Sequence, residues 1–336
     1  MPHSLLDPSM EDLRAAVRQF AGKRVLIWGD FVADRFLHGS TTRVSREAPA
    51  LVLKHEREEI RAGGAGNAAL NAAALGASVT VLGYVGQDSA GQALLGALRD
   101  SSIDVGRLIQ VEGRSTPVKT RVMAGGTHTV RQQILRIDQE TAWQEDVEEH
   151  GIAAHLDAAT DWADAVMISD YGLGTIETAA ARAWLENAPG VPVILDSRHR
   201  LLEFSGVTAA TPNEEEAESA TGMLLGDDLG AVQDAGKMLL ARLECDHLLI
   251  TRGSHGMSVF GREGAADHLP AHSASEIADV TGAGDTVIAA YTLGLAAGLP
   301  ALMSARVANV AASLAVRKHG TATVSHDELI GHLGDA

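Results

Sequence analysis

The sequence reads Asp279-Val280-Thr281-Gly282-Ala283-Gly284-Asp285 directly before an apolar segment of helical length, residues 286–297. A helix that begins at this turn directs its free N–H groups and the positive end of its dipole at whatever lies above Gly282, Ala283 and Gly284. The turn is therefore predicted to bind an anion such as a phosphate. Asp285 cannot bind a phosphate itself, since like charges repel. We predict that it accepts the proton of a hydroxyl group that attacks the phosphate.

A structural explanation of the same residues competes with this one. Gly-Ala-Gly can be a tight turn before a buried helix, and Asp285 can be a helix cap. A lone Gly-x-Gly would favour that explanation. Here two acids flank the turn, and further signals typical of phosphate sites occur elsewhere in the chain. The pattern therefore favours a kinase that acts on an alcohol.

The composition sets limits on the class of protein. The chain has 336 residues, enough for one large α/β domain or for two domains, and no apolar stretch approaches the length of a membrane span. Its net charge of −17 argues against nucleic acid or an anionic membrane as a partner. The single cysteine, Cys245, cannot form an internal disulfide, which agrees with a reducing, cytoplasmic location.

Apolar runs of strand length alternate with alanine-rich segments of helical spacing. Continuous apolar strands that alternate with helices predict a mainly parallel sheet covered on both faces. In such sheets, ligands bind beyond the carboxyl ends of the strands. The strand-like runs lie at 25–28, 79–82, 165–168, 193–195 and 248–250.

Two segments interrupt this alternation, at about 36–61 and 115–138. Both show short alternating patterns without the helix that a crossover connection needs. We predict that they form a small inserted β-sheet, a lid that excludes water from the reacting phosphoryl group. Because a sheet of a few strands is poorly stable alone and has free edges, we expect it to pair with a second subunit in a homodimer.

The glycine-rich turn resembles the signature of the PfkB/ribokinase family of sugar and nucleoside kinases. The resemblance implies a single ribokinase-like domain over residues 1–336, with a three-layer α/β/α fold, ATP as phosphoryl donor, Mg²⁺, and a monovalent-cation requirement that stays open. It also assigns the sugar to Asp34, Gly64 and Asn67. From the residues alone, Asp34 can equally be a solvated acid, and the glycines before Asn67 can be a plain hinge.

The nucleotide side carries three further matches to the family. Asn213 and Glu216 fit an N-x-x-E pattern that arranges Mg²⁺ around the phosphates through water, although a run of acids is usually a solvated helix start. Thr251, Gly253 and Gly256 fit a T-R-G-x-x-G nucleotide loop, which by itself could be any hairpin.

The third match lies in a late helix, where the resemblance assigns Asn309 and Ala312 to the adenine side. On sequence alone this segment is more simply a helix-packing surface.

Within the family, the chain resembles in particular the kinase domain that phosphorylates heptose 7-phosphate at its anomeric position. The likeness implies that Lys119, Arg121 and Arg136 hold the substrate's own phosphate. Three positions depart from that pattern: Arg46, Leu173 and Arg198 replace a proline and two lysines. The shared motifs are Gly29-Asp30, Asp34-Arg35, Arg43-Val44-Ser45, Glu47-Ala48-Pro49, Gly63-Gly64-Ala65, Lys119-Thr120-Arg121-Val122, Gln132-Gln133-Ile134-Leu135-Arg136-Ile137-Asp138, Ser169-Asp170-Tyr171-Gly172 and Gly320-Thr321-Ala322-Thr323-Val324.

These observations predict an ATP-dependent kinase for D-glycero-D-manno-heptose 7-phosphate. A PfkB kinase for another sugar, sugar phosphate or nucleoside is the alternative, and a non-catalytic sugar or nucleotide sensor is weaker, since a sensor has no need of Asp285. A dinucleotide-dependent oxidoreductase is weaker still, because this chain has no G-x-G-x-x-G motif after its first strand. The H-x-G-H motif of a nucleotidyltransferase does not occur, so we expect kinase activity alone.

Overall fold

The computed structural model describes residues 8–125, 132–143, 152–187, 190–272 and 278–334. The strands in chain order are β1 (Arg24–Gly29), β2 (Phe31–Val44), β3 (Leu51–Gly64), β4 (Ser78–Gly86), β5 (Asp104–Val111), β6 (Val118–Gly125), β7 (Gln132–Gln139), β8 (Ala165–Asp170), β9 (Val193–Ser197), β10 (Ala209–Ala210), β11 (His247–Thr251), β12 (Met257–Gly261) and β13 (Ala266–Leu269). The α-helices are α1 (Met10–Arg18), α2 (Ala65–Ala74), α3 (Ser89–Asp100), α4 (Ile152–Thr160), α5 (Thr178–Glu186), α6 (Glu214–Thr221), α7 (Leu229–Leu243), α8 (Ala283–Ala296), α9 (Ala301–Ala315) and α10 (His326–His332).

Nine described strands form the main sheet, in the order β13-β12-β11-β10-β9-β8-β1-β4-β5. The pairs from β11 to β5 are parallel, and β12 and β13 add an antiparallel edge. The apolar runs identified in the sequence fall in these strands, and β8 is buried along its whole length. The predicted parallel sheet is therefore confirmed.

Helices cover both faces of this sheet. Alternate residues of β1 point to opposite faces, so that Val25 and Ile27 join one apolar core while Leu26 and Trp28 join the other. The first core packs α1, α2, α3, α8, α9 and α10 on the sheet, and the second packs α4 to α7. This is the three-layer α/β/α arrangement that the sequence predicted.

A second sheet has four described strands in the order β3-β2-β6-β7. Its strands occupy both segments predicted as an inserted sheet, although β2 and β3 also extend beyond the first one, from residue 31 to residue 64. Strands β2 and β6 pair in parallel, which places Asp34 opposite Lys119 and Phe36 opposite Arg121. Residues 126–131 of the predicted lid lie outside the described part of the chain. We call this second sheet the lid.

The lid joins the main sheet without linkers at its first two strands. Only Asp30 separates β1 from β2, and β3 continues directly into α2. The Ala65 amide donates a hydrogen bond to the Asp30 carbonyl oxygen at 3.0 Å, so the outgoing and returning chains are bonded to each other. Gly64 has φ +57°, and a Cβ atom there would lie 2.5 Å from the same carbonyl oxygen, which explains the glycine.

None of the helices in the described ranges is both long enough and apolar enough to span a membrane.

Candidate active site

A cavity of about 740 Å³ lies between the lid and the carboxyl ends of the main-sheet strands. This is the edge at which the sequence predicted the chemistry. The cavity brings together segments of the chain that are far apart in sequence. The predicted site residues that line it are Asp34, Gly64, Asn67, Lys119, Arg121, Arg136, Asn213, Glu216, Thr251, Gly253, Gly282, Ala283, Gly284 and Asp285.

The glycine-rich turn starts helix α8 at the floor of this cavity. Gly282 has φ +81°, and a Cβ atom there would lie 2.9 Å from the Asn67 side-chain nitrogen. The Ala283 amide donates to the Val280 carbonyl at 3.2 Å, and the first intrahelical bond runs from the Thr286 amide to the Gly282 carbonyl. The amides of Gly284 and Asp285 therefore have no acceptor within the helix, as expected for a first turn that can bind an anion.

Asp285 lies in that first turn and contacts two side chains from other segments. The Asn67 side-chain amide donates to its Oδ2 at 2.5 Å, and the Tyr171 hydroxyl donates to its Oδ1 at 3.4 Å. Burial raises the pKa of Asp285 to about 6, the nearby charge of Asp34 adds to this, and the Asn67 hydrogen bond and the Arg198 charge oppose it. A carboxylate with this pKa is ionised at neutral pH and still basic enough to accept a proton.

The cations predicted on the lid are partly neutralised by lid carboxylates. Arg121 donates to Asp34 at 2.6 Å in a pair that is largely shielded from solvent. Arg136 makes a bidentate pair with Asp138, at 2.7 and 2.6 Å. For Lys119, by contrast, no carboxylate of the described residues lies within ion-pair distance.

Two residues that the sequence did not assign to the site, Tyr171 and Arg198, lie beside Lys119. The Lys119 ammonium is 5.0 Å from the centroid of the Tyr171 ring, and the Arg198 guanidinium is 5.2 Å from it. Burial lowers the pKa of Lys119, and the charges of Arg198 and Arg136 lower it further. Both residues directly follow a strand of the main sheet, which is a position typical of ligand-binding residues. In the sequence, however, Arg198 stood out only as a departure from a family pattern.

The residues predicted to face the nucleotide, Asn213 and Glu216, have a local structural role. The Asn213 side chain accepts from the Glu216 amide at 2.8 Å, and Glu216 accepts from the Asn213 amide at 2.9 Å. This reciprocal pair is a capping box at the start of α6. The N-x-x-E spacing is therefore explained by helix capping, whether or not the pair also serves a ligand.

Asp196, at the end of β9, is a further cavity residue that the sequence did not single out as part of the site. Burial and the charges of Glu216 and Asp285 raise its pKa well above the usual range. Burial also raises the pKa of Glu216. Carboxylates that repel each other beside a cavity fit Mg²⁺, which takes one or two carboxylates and keeps several waters. No group of three His, Cys, Asp or Glu residues arranged for a metal occurs in the described ranges.

Asp30 is fully buried and serves the loop that carries Tyr171. Its carboxylate accepts hydrogen bonds from the amides of Tyr171, Leu173 and Thr175, at 2.8, 3.1 and 3.2 Å. Asp30 therefore serves a structural role and does not line the cavity. It fixes the position of Tyr171 at the cavity wall.

Three predicted nucleotide residues lie outside the lining of this cavity. Gly256 has φ +82° before β12, where a Cβ atom would lie 2.1 Å from the Leu269 carbonyl oxygen. The Asn309 side chain donates to the Pro270 carbonyl at 2.8 Å, and Ala312 packs against the apolar core. Residues 273–277 follow this region and lie outside the described residues. The assignment of these three residues to ATP stays a prediction.

Comparison with protein families gives one match that covers most of the chain. The family described as pfkB family carbohydrate kinase matches residues 23–328. The bifunctional protein HldE of Citrifermentans bemidjiense is 41% identical over 315 residues, which are 93% of this chain and 63% of that protein. The bifunctional protein HldE of Geobacter sulfurreducens is 41% identical over 313 residues, 92% of this chain and 62% of that protein. The chain thus spans less than two thirds of the length of these relatives.

Solved structures resemble the fold at lower identity. The Arabidopsis thaliana ribokinase complexed with ribose and ATP has a TM-score of 0.70 at 22% identity, over 93% of this chain and 99% of that chain. Escherichia coli phosphofructokinase-2 in complex with substrates and products has a TM-score of 0.72 at 18% identity, with the same coverage of both chains. These structures support the three-layer fold with its lid.

Proposed function

The chain belongs to the pfkB family of carbohydrate kinases, and from this premise we propose that it phosphorylates the anomeric hydroxyl of D-glycero-D-manno-heptose 7-phosphate to give the 1,7-bisphosphate. Family membership implies ATP as the phosphoryl donor. The observation that carries the proposal is the carboxylate of Asp285, which has a pKa of about 6 and accepts a hydrogen bond from Asn67. It lies in the cavity beneath the lid, whose cations line the same cavity. The heptose motifs and the 41% identity to the two bifunctional relatives support this substrate.

In this mechanism Asp285 removes the proton of the attacking hydroxyl. Its pKa of about 6 leaves the carboxylate ionised at neutral pH, so it needs no prior deprotonation. Asn67 orients it through the 2.5 Å hydrogen bond, while the Oδ1 atom of Asn67 is buried without a partner in the described part of the chain. Asn67 also lines the cavity, so a sugar hydroxyl bound against it would lie beside the base.

The amides at the start of α8 stabilise the negative charge on the transferring phosphoryl group. Gly284 and Asp285 present amides without intrahelical acceptors, and the helix dipole adds to their effect. The lid closes the other side of the cavity, which excludes water and strengthens these interactions.

Asp196, Glu216 and Asn213 are the residues that would hold Mg²⁺ beside the nucleotide. The bound ion neutralises charge on the phosphate oxygens. Asp196 and Glu216 oppose each other's ionisation when no cation lies between them. For this reason we assign the Mg²⁺ ion to these two carboxylates. We place the enzyme in the cytoplasm, where ATP and a reducing environment for Cys245 are available.

We also propose a homodimer through the lid. Among the described strands of the lid, β7 lies at the edge of the sheet, and all of its residues are exposed. Arg136 lines the cavity, so its neighbours Leu135 and Ile137 point to the opposite face, where they are 53% and 52% exposed. Large apolar side chains on an open sheet edge favour association with another subunit.

The test is ATP turnover with matched sugars. Heptose 7-phosphate, heptose, fructose 6-phosphate and ribose are compared by kcat/KM, and phosphorus NMR identifies the position that is phosphorylated. We expect heptose 7-phosphate to give the highest kcat/KM and a product phosphorylated at the anomeric carbon. A higher kcat/KM for any other sugar would contradict the heptose assignment, and only the assignment to the carbohydrate kinases would remain.

A further inference from the structure

We propose that Lys119 and Arg198, which both lie against the ring of Tyr171, form the pocket for the substrate's own phosphate group. The inference rests on the proposed function, because only a phosphorylated sugar brings a second anion to the cavity. It changes the assignment made from sequence, in which Arg121 and Arg136 accompanied Lys119. We call the space next to these residues the phosphate pocket.

The phosphate pocket is a separate space of about 160 Å³ beside the main cavity. Lys119, Arg136 and Arg198, together with Tyr171, line both, so the two spaces share these three cations. Asp138, which is paired with Arg136, and Glu140 also line the smaller space. Leu173 lines only the smaller one. A substrate can therefore occupy both spaces at once, with its sugar in the main cavity and an anionic end in the smaller pocket.

Four cations of the described residues line the main cavity, and two of them are already paired with carboxylates. Arg121 is paired with Asp34, and Arg136 makes a bidentate pair with Asp138. Lys119 and Arg198 have no carboxylate within ion-pair distance in the described ranges, although acids outnumber bases 44 to 27 in the chain. Carboxylates act on both cations only from beyond ion-pair distance: Asp34 and Asp138 on Lys119, and Asp196, Glu216 and Asp285 on Arg198. Two cations without a direct carboxylate partner in so acidic a protein indicate an anionic ligand.

The cost of this arrangement supports the same conclusion. Lys119 is half-buried, and both its burial and the charge of Arg198 lower its pKa. An anion between the two cations would remove their repulsion and replace the lost water. Arginine contributes a flat, bidentate contact to a phosphate, and lysine contributes a compact charge, so the pair suits a phosphate dianion.

Tyr171 connects the phosphate pocket to the reacting group. Its ring contacts both cations, and its hydroxyl lies 3.4 Å from an Asp285 oxygen. A sugar phosphate whose anionic end rests in the pocket therefore extends along Tyr171 toward the base. This arrangement predicts selection for a substrate with its phosphate at the end remote from the attacking hydroxyl.

Two substitutions test the pocket, with a matched control for each. Arg198→Gln and Lys119→Met remove one charge each at similar side-chain length. Arg99→Gln and Lys54→Met remove the same charges from exposed positions on α3 and β3. KM for heptose 7-phosphate, heptose and ATP is measured for all five proteins, and calorimetry measures binding of the two sugars without ATP.

We expect each pocket variant to weaken binding of heptose 7-phosphate by tenfold or more, because each loses a charge-assisted contact. Binding of heptose and KM for ATP should stay within twofold of the unsubstituted enzyme, and the controls should change neither. Leu173→Lys adds a cation to the pocket and should lower KM for heptose 7-phosphate. The proposal would be overturned if a pocket variant lost the same affinity for heptose and for heptose 7-phosphate, or lost affinity for neither.

The binding measurement keeps this test separate from the choice of sugar. If heptose 7-phosphate is not the best substrate, the same variants are titrated with fructose 6-phosphate and fructose. A selective loss for the phosphorylated sugar then supports the pocket while the heptose assignment fails. If no phosphorylated sugar binds more tightly than its parent sugar to the unsubstituted enzyme, the pocket itself is wrong.

Discussion

The side-chain amide of Asn67 donates a hydrogen bond to the carboxylate of Asp285 at 2.5 Å, although the two residues are 218 positions apart in the sequence. Asn67 lies in the first turn of α2 and Asp285 in the first turn of α8. The Thr286 hydroxyl also donates to the Asn71 side chain at 2.7 Å. The N-terminal halves of two helices are thus joined by two polar contacts, and the first of them favours the ionised form of the proposed base against the effect of burial.

Asn67→Ala should shift the pH dependence of activity toward higher pH. The amide donor stabilises the ionised form of Asp285, so its loss raises a pKa that is already about 6. The acid limb of the kcat profile should move up accordingly, with lower activity at pH 6 than at pH 8. Asn187→Ala, an exposed amide at the end of α5, is the control. An unchanged acid limb in Asn67→Ala would show that another group titrates.

Asp285→Asn should lower kcat by at least about 100-fold with little change in ATP affinity, as expected for loss of a general base. Near-normal turnover would exclude Asp285 as the base.

The same substitution should make the protein more stable at pH 8. The folded state holds the pKa of Asp285 at about 6 instead of 3.8, so ionisation costs stability as the pH rises through that window. At about 1.4 kcal/mol per pKa unit, Asp285→Asn should raise the free energy of unfolding by up to about 3 kcal/mol at pH 8 and by little at pH 3.5. Urea titrations at both pH values measure this difference. Equal or lower stability at pH 8 would mean that burial of Asp285 is compensated elsewhere.

Glu216→Gln should raise the concentration of Mg²⁺ needed for half-maximal activity. Glutamine keeps an oxygen that can accept from the Asn213 amide, so the capping box of α6 survives and only the charge is lost. Activity is followed during a Mg²⁺ titration, with Glu186→Gln at the exposed end of α5 as control. An unchanged titration would reduce Glu216 to its capping role.

Ile137→Lys should convert the proposed dimer to a monomer. A charge on the outward face of β7 cannot be buried against a second subunit without a partner. Light scattering measures the mass at working concentration. Leu224→Lys is a stringent control, because Leu224 is 86% exposed but lies after α6, away from the lid. A monomeric unsubstituted protein would contradict the dimer at the outset.

The sequence predicted the main features of the site where they rest on local patterns. The turn at Gly282 could be recognised because small residues directly before an apolar segment of helical length predict a tight turn at a helix start. The strand-helix alternation likewise located the sheet edge at which Asp34, Asn67 and Asp285 meet.

Pairing between segments could not be predicted in the same way. Whether Arg121 faces Asp34 or a ligand depends on the register of β2 against β6, and no local pattern fixes that register. Arg198 was visible only as a departure from a family motif, because its importance comes from Lys119 and Tyr171, which reach it from other parts of the chain. The role of Asp30 could not be predicted either, because its carboxylate is buried and accepts hydrogen bonds from three amides of a later loop.

Asp30 has a mechanical consequence. Its backbone carbonyl accepts a hydrogen bond from the Ala65 amide, where the chain returns from the lid. Its carboxylate accepts a hydrogen bond from the amide of Tyr171. The lid and one wall of the phosphate pocket are therefore attached to the same residue. We expect a displacement of the chain at Asp30 to move the lid strands and the Tyr171 ring together. Exclusion of water by the lid and contact with the remote end of the sugar would then be mechanically coupled through one aspartate.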